Sequence, residues 1–127
     1  MTDENQRGYE KNKSRTIELE ARIDRIRALN DELRGFRRGG YVTITSGIQA
    51  LGQAALQAIL HKVAAFDAFE GDNDPHGEHD FGALDHEGSH VFFKIDYYDK
   101  QLEHGSPDPA DPHVTARVLT IMLALEY

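Results

Sequence analysis

The eleven residues from Asp72 to Gly82, Asp-Asn-Asp-Pro-His-Gly-Glu-His-Asp-Phe-Gly, constrain this chain more than any other segment. They hold four carboxylates, two imidazoles, two glycines and a proline around a single large apolar side chain. Carboxylates are almost never fully buried unless paired or metal-bound, so the stretch cannot be core filling. It must be a solvated loop, an ion site, a catalytic cluster or a contact surface.

At 127 residues, with 39% hydrophobic content and 28% charged residues, the chain suits one soluble domain with a single core. There is neither an apolar run long enough for a membrane span nor a secretory leader pattern, and a cytoplasmic protein is expected. Cysteine is absent, which excludes disulfides, thiol catalysis and thiolate metal sites. The net charge of −8 is unevenly spread. Residues 1–40 carry ten Lys/Arg against eight Asp/Glu, whereas residues 41–127 carry four against fourteen. Such a body repels nucleic acid and attracts basic partners or cations.

Residues 1–13 are polar and aperiodic and are expected to be a disordered tail, with residues 14–127 forming a single α+β domain. From Ser14, a suitable N-cap, the residues Leu19, Ile23, Ile26, Leu29, Leu33 and Phe36 recur at helical spacing. Arg22, Arg25 and Arg34, interleaved with Glu18 and Asp31, read as a solvated opposite face. Tyr41–Thr45 reads as a strand between glycines and a helix start. Ser46, with Gln49 three residues on, resembles a capping box, and Gly52 separates a first turn from the regular helix carrying Ala55, Ile59, Val63 and Phe66.

Val91, Phe93, Ile95 and Tyr97 alternate with Phe92, Lys94, Asp96 and Tyr98, the period of a strand with one buried face. A hairpin with a five-residue connection, Asp85 to Ser89, pairs Leu84 with His90 and Asp80 with Lys94. That register gathers Glu78, Asp80, His90, Lys94, Asp96 and Tyr98 on one polar face. Asp111 followed by Pro112 predicts a last helix with Val114, Val118, Ile121, Met122 and Leu125 facing the core. The expected architecture is α+β: an amphipathic N-terminal helix and a short antiparallel sheet of about three strands, with helices packed on one face.

Three blocks of residues resemble a bacterial family of unknown function met on plasmids and other mobile elements. They are Asp72–Pro75 with Gly77–Gly82, then Lys94–Asp99, then Arg117–Ala124. His76 stands where that family more often has tyrosine, and Phe93 where it more often has tryptophan. The resemblance implies a shared fold and an association with mobile elements. Accessory proteins of this size on such elements often act on host defence systems.

The cluster admits several chemistries. Asp72, Asp74 and His76 before Gly77 imitate part of an EF-hand loop, but the twelfth position is Ala83 rather than glutamate. Asp72, Asp74, Glu78 and His79 are the candidate ligands of a divalent cation, the only cofactor the sequence suggests. With Asp80, the same cluster would serve a metal-dependent hydrolase or nuclease, for which Asp80 and Lys94-x-Asp96 on adjacent strands are a weak signature. The blander reading of that group is a cross-strand Asp80–Lys94 ion pair. The favoured expectation is non-enzymatic: a small acidic accessory protein binding a basic, nucleic-acid-handling partner, an inhibitor of host defence of the anti-restriction or anti-CRISPR kind. Its contact residues would be Asp72, Asp74, Glu78, Asp80, Asp96, Tyr98 and Asp99. No direct nucleic-acid contact through the body and no membrane contact are expected, and the N-terminal helix is the expected seat of any homodimer.

Overall fold

The structure, a computed structural model, describes residues 4–127, with side chains from residue 6. Helix α1 spans Glu4–Phe36, strand β1 Tyr41–Ile44, helix α2 Ser46–Gln49 and helix α3 Gln53–Ala65. Strands β2 (Phe81–His86), β3 (Ser89–Tyr98) and β4 (Ala116–Leu123) follow, and a 3-10 turn at Ala124–Glu126 ends the chain. The protein is α+β as expected, with four strands in the order β1-β4-β3-β2. β4 pairs antiparallel with β3 and parallel with β1, so the sheet is mixed.

α1 is helical from Glu4, so Ser14 lies inside it rather than capping it; residues 1–3 of the expected tail fall outside the described residues. Only its second half meets the body. Ile26, Asn30, Leu33 and Arg34 are buried, whereas every residue from Gln6 to Ala21 is exposed. The break at Gly52, which has φ 98°, separates α2 from α3 as its position suggests. The cap of α2 is Thr45, not Ser46, and the Gln49 amide turns back to the Ile44 carbonyl at 2.9 Å.

The core lies between one sheet face and the helices. Val91, Phe93 and Ile95 of β3 and Leu119 and Ile121 of β4 pack against Leu33, Ile48, Ile59 and Val63. The odd residues of β3 face the core, as their alternation requires. In β2, however, the even residues share that face, because Leu84 pairs with Val91 and Gly82 with Phe93. The expected register was off by one residue, with a physical cause in the turn. Glu87 and Gly88 both have positive φ, 47° and 84°, the geometry of a two-residue hairpin turn that matches strand twist. Phe81, not Asp80, stands opposite Lys94, and the Lys94 ammonium pairs along its own strand with Asp96 at 2.8 Å. The cross-strand Asp80–Lys94 ion pair is therefore not formed.

The expected last helix is β4. As a strand lying between β1 and β3, it carries Arg117, Leu119 and Ile121 on the core face, while Met122 is buried on the other. A strand apolar on both faces gives a near-continuous apolar run, which periodicity cannot distinguish from a buried helix. Asp111 caps only a turn, accepting from the His113 amide at 2.9 Å.

Candidate functional site: an acidic end of the sheet

β2 begins, β3 ends and β4 begins at the same end of the sheet, because Phe81 pairs with Lys94 and Tyr98 with Ala116. Two acidic loops meet there, residues 66–80 entering β2 and residues 99–115 entering β4. Helix α1 runs between them and holds both. On one side Arg22 pairs with Asp108 at 3.1 Å, and Arg25 donates to the Ala110 carbonyl at 2.8 Å. On the other, Arg27 donates to the Gly77 carbonyl and the Asn30 amide to the Glu78 carbonyl at 3.0 Å.

The first loop is built by its own polar side chains. The Asn73 oxygen accepts from the Glu70 amide at 2.7 Å, and its nitrogen donates to the Ala68 carbonyl at 2.9 Å. Asp74, only 8% exposed, accepts from the His79 amide at 3.1 Å. Gly77 and His79 both take positive φ, 71° and 57°. The His79 ring stacks on Phe69 with centroids 3.8 Å apart and reaches Asp31 of α1 at 2.9 Å, with Asp74 at 3.8 Å on its other nitrogen. Asp31 also pairs with Arg34 at 2.9 Å. The loop is thus clamped to α1, and the clamp leaves Asp72 and His76 exposed.

Beneath the loop lies a buried polar network. Arg117, 1% exposed, donates to the Asn30 side-chain oxygen at 2.7 Å and to the Pro109 carbonyl, with its guanidinium over the Tyr97 ring. Asn30 donates to the Tyr97 hydroxyl at 2.7 Å, and that hydroxyl donates to Glu78 at 3.3 Å. Burial keeps the Tyr97 phenol protonated far above the usual range and pushes the Arg117 pKa down. Burial, reinforced by Asp80, raises the Glu78 carboxyl; burial also raises Asp80, with Asp74 and Asp96 adding to the effect. Asp99 and Asp111 shift down because backbone amides donate to them.

The seven expected contact residues therefore divide. Asp72 is exposed, and Glu78, Asp80, Asp96, Tyr98 and Asp99 are half-buried at this end of the sheet. Asp74 is withdrawn into the loop as a structural acceptor. Of the expected metal ligands, Asp74 and His79 meet, Glu78 turns to Tyr97 and Asp72 stands apart. Among the described residues no three His, Asp or Glu side chains are gathered so that they could hold a metal ion.

Sequence reasoning missed Asn30, Arg34 and Arg117. Asn30 interrupts the Ile26–Leu33 apolar stripe, which marks a polar group aimed into the core. Arg34 was expected on a solvated face. It is buried instead and donates to the carbonyls of Val63, Ala64 and Phe66, closing the C-terminus of α3 with a cation.

A family model matches residues 44–126, a span that contains the acidic loop, the hairpin and β4. The chain belongs to the family described as Protein of unknown function (DUF3768). The match takes in both acidic loops and Arg117, whereas α1, which clamps those loops, precedes it. No curated protein and no solved structure matches the chain. No helix among the described residues is long and apolar enough to cross a membrane.

Proposed function

We propose that this chain is a binding protein whose acidic sheet end engages a basic surface on a protein partner. One observation carries the reading. Of the thirteen carboxylates from Asp67 to Asp111, only Asp96 and Asp108 pair with a Lys or Arg among the described residues. Eleven are left without such a cation, nine of them on the two loops at this end of the sheet and Asp85 and Glu87 beside the hairpin turn at the other; burial raises the Glu78 and Asp80 carboxyls, and neighbouring carboxylates add to it. A surface that concentrates like charge on rigid loops is costly alone and is relieved by a basic partner. The clamp on the 66–80 loop supports recognition by presenting that loop's carboxylates in one arrangement, so that little ordering entropy is lost on binding.

A nucleic-acid-handling protein is the partner class that fits, because its phosphate-binding groove is basic and a row of carboxylates imitates phosphates. Within that class we infer a host-defence nuclease, on the expectation that this family travels on mobile elements. The test is binding of the full chain to purified RNA-guided and restriction nucleases, measured by interferometry from 0.05 to 0.5 M salt. Binding to one of them should weaken steeply with salt, persist in chelator and fall at least tenfold for Asp72→Lys with Glu78→Lys. Binding indifferent to salt and to those substitutions overturns the proposal, as does chelator-sensitive hydrolysis by the chain itself.

A further inference from the structure

Residues 6–20 of α1 are exposed and stand off the body. At 1.5 Å per residue they make an arm of about 22 Å. Tyr9, Asn12, Lys13, Thr16, Ile17 and Glu20 line one shallow hollow along it. Tyr9 is 68% exposed and Ile17 is 56% exposed. An isolated helix this short and polar is marginal in water, because helices owe most of their stability to a packed face. The arm needs a cover, and its charge order says which one. Residues 7–15 hold Arg7, Lys11, Lys13 and Arg15 against Glu10 alone, while residues 18–24 hold Glu18, Glu20 and Asp24 against Arg22 alone.

A basic block followed by an acidic block is self-complementary in one orientation only. Two arms side by side in parallel set basic on basic and acidic on acidic. Two arms in antiparallel set each basic block on the other's acidic block. The geometry points to a second copy of this chain as the occupant, its arm lying antiparallel along the Tyr9–Glu20 face with the two-fold axis between Thr16 and Ile17. In that register Lys13 of each copy faces Glu20 of the other, Thr16 faces Ile17, and Tyr9 falls opposite Asp24. Lys13 and Glu20 are seven residues apart in one chain, on one face but too far along it to pair within the helix, and neither forms an ion pair among the described residues. The contact uses a surface separate from the acidic sheet end, so it stands or falls apart from the partner-binding proposal.

The experiment is sedimentation equilibrium of the full chain at low salt. The wild type is expected to dimerise, with weakening as salt rises. Lys13→Glu alone and Glu20→Lys alone each place like charges across the axis twice and should raise the dimer dissociation constant by about tenfold or more. The double variant, and equally a mixture of the two single variants, restores opposite charges and should restore the dimer. Because the chain has no cysteine, Thr16→Cys supplies a single thiol near the axis that should crosslink two copies on oxidation. Circular dichroism checks that each variant keeps the fold. A monomer at all concentrations overturns the proposal, as does a dimer unmoved by both single variants or a monomer whose arm binds a DNA duplex instead. Efficient crosslinking of Tyr9→Cys to itself also overturns it, since that requires a parallel pair.

Discussion

At the scale of residues, the most exacting group is the Arg117 guanidinium, a buried cation whose charge is met by a side-chain amide oxygen, a backbone carbonyl and an aromatic face. Removing one member of such a set leaves a buried polar group without its partner and costs more than the bond itself is worth. Asn30→Leu should therefore destabilise the fold by about 3 kcal/mol, read from urea unfolding. Adding Arg117→Met to it should cost much less than the two single losses summed, because the stranded cation goes as well. Strict additivity of the two would show that they do not act as one network. Glu78 and Asp80 behave in the opposite sense. A carboxyl whose folded pKa is raised gives stability that is fully present below its unfolded pKa, near pH 4, and lost as pH rises through the folded value. Asp80→Asn should thus raise the melting temperature at pH 7 and leave it unchanged near pH 3.5. A lower melting temperature at pH 7 would mean that the Asp80 carboxylate is held by a favourable contact.

At the scale of elements, the fold turns on how closely β2 approaches the Phe93 and Phe66 rings. A methyl group at Gly82 would run into the Phe93 ring and lie 2.9 Å from Phe66, both part of the packed core. Gly82→Ala should cost about 1–3 kcal/mol by overpacking, seen as a lower urea midpoint at unchanged slope. A neutral outcome would show that the Phe66–Phe93 edge contact can slide aside. This close approach also explains what the sequence concealed. The β3 alternation is legible because one face is wet and the other dry, and α3 is legible because its apolar spacing follows a glycine break. β2 is not legible, since its core face is built from Gly82, Leu84 and His86, only one of them a large apolar side chain. Its register depends on a two-residue turn at Glu87-Gly88, which lacks the Asn or Asp that usually announces one. β4 is concealed for the opposite reason, too many apolar residues, and its parallel partner β1 lies some 75 residues away in the chain. The candidate site was legible as composition, since the acidic stretch does reach the sheet end. Its support was not, because Asn30, Asp31 and Arg117 come from α1 and β4, and only the fold brings them under the loop.

At the scale of the whole molecule, the balance of charge becomes a statement about stability. Among the described residues eleven carboxylates from Asp67 to Asp111 lack a Lys or Arg partner, nine of them on the two loops at the acidic end, while most of the chain's cations sit on α1. Four arginines of α1, Arg22, Arg25, Arg27 and Arg34, are already committed to fixed acceptors. Two electrostatic effects then compete. Exposed ion pairs such as Arg22–Asp108 are weakened by salt, but each contributes at most about 1 kcal/mol. Repulsion among the clustered carboxylates is weakened too, over the Debye length of about 10 Å at 0.1 M, and it acts on many groups at once. Repulsion should win. Raising sodium chloride from 0.01 to 0.5 M should raise the melting temperature at pH 7. The rise should shrink when Asp72, Glu78 and Asp80 are replaced by their amides, which remove charge from the acidic end without disturbing Asp74. A melting temperature that falls with salt would show that ion pairs outweigh the repulsion. The acidic end would then carry no excess charge to offer a partner, and the binding proposal would lose its physical basis.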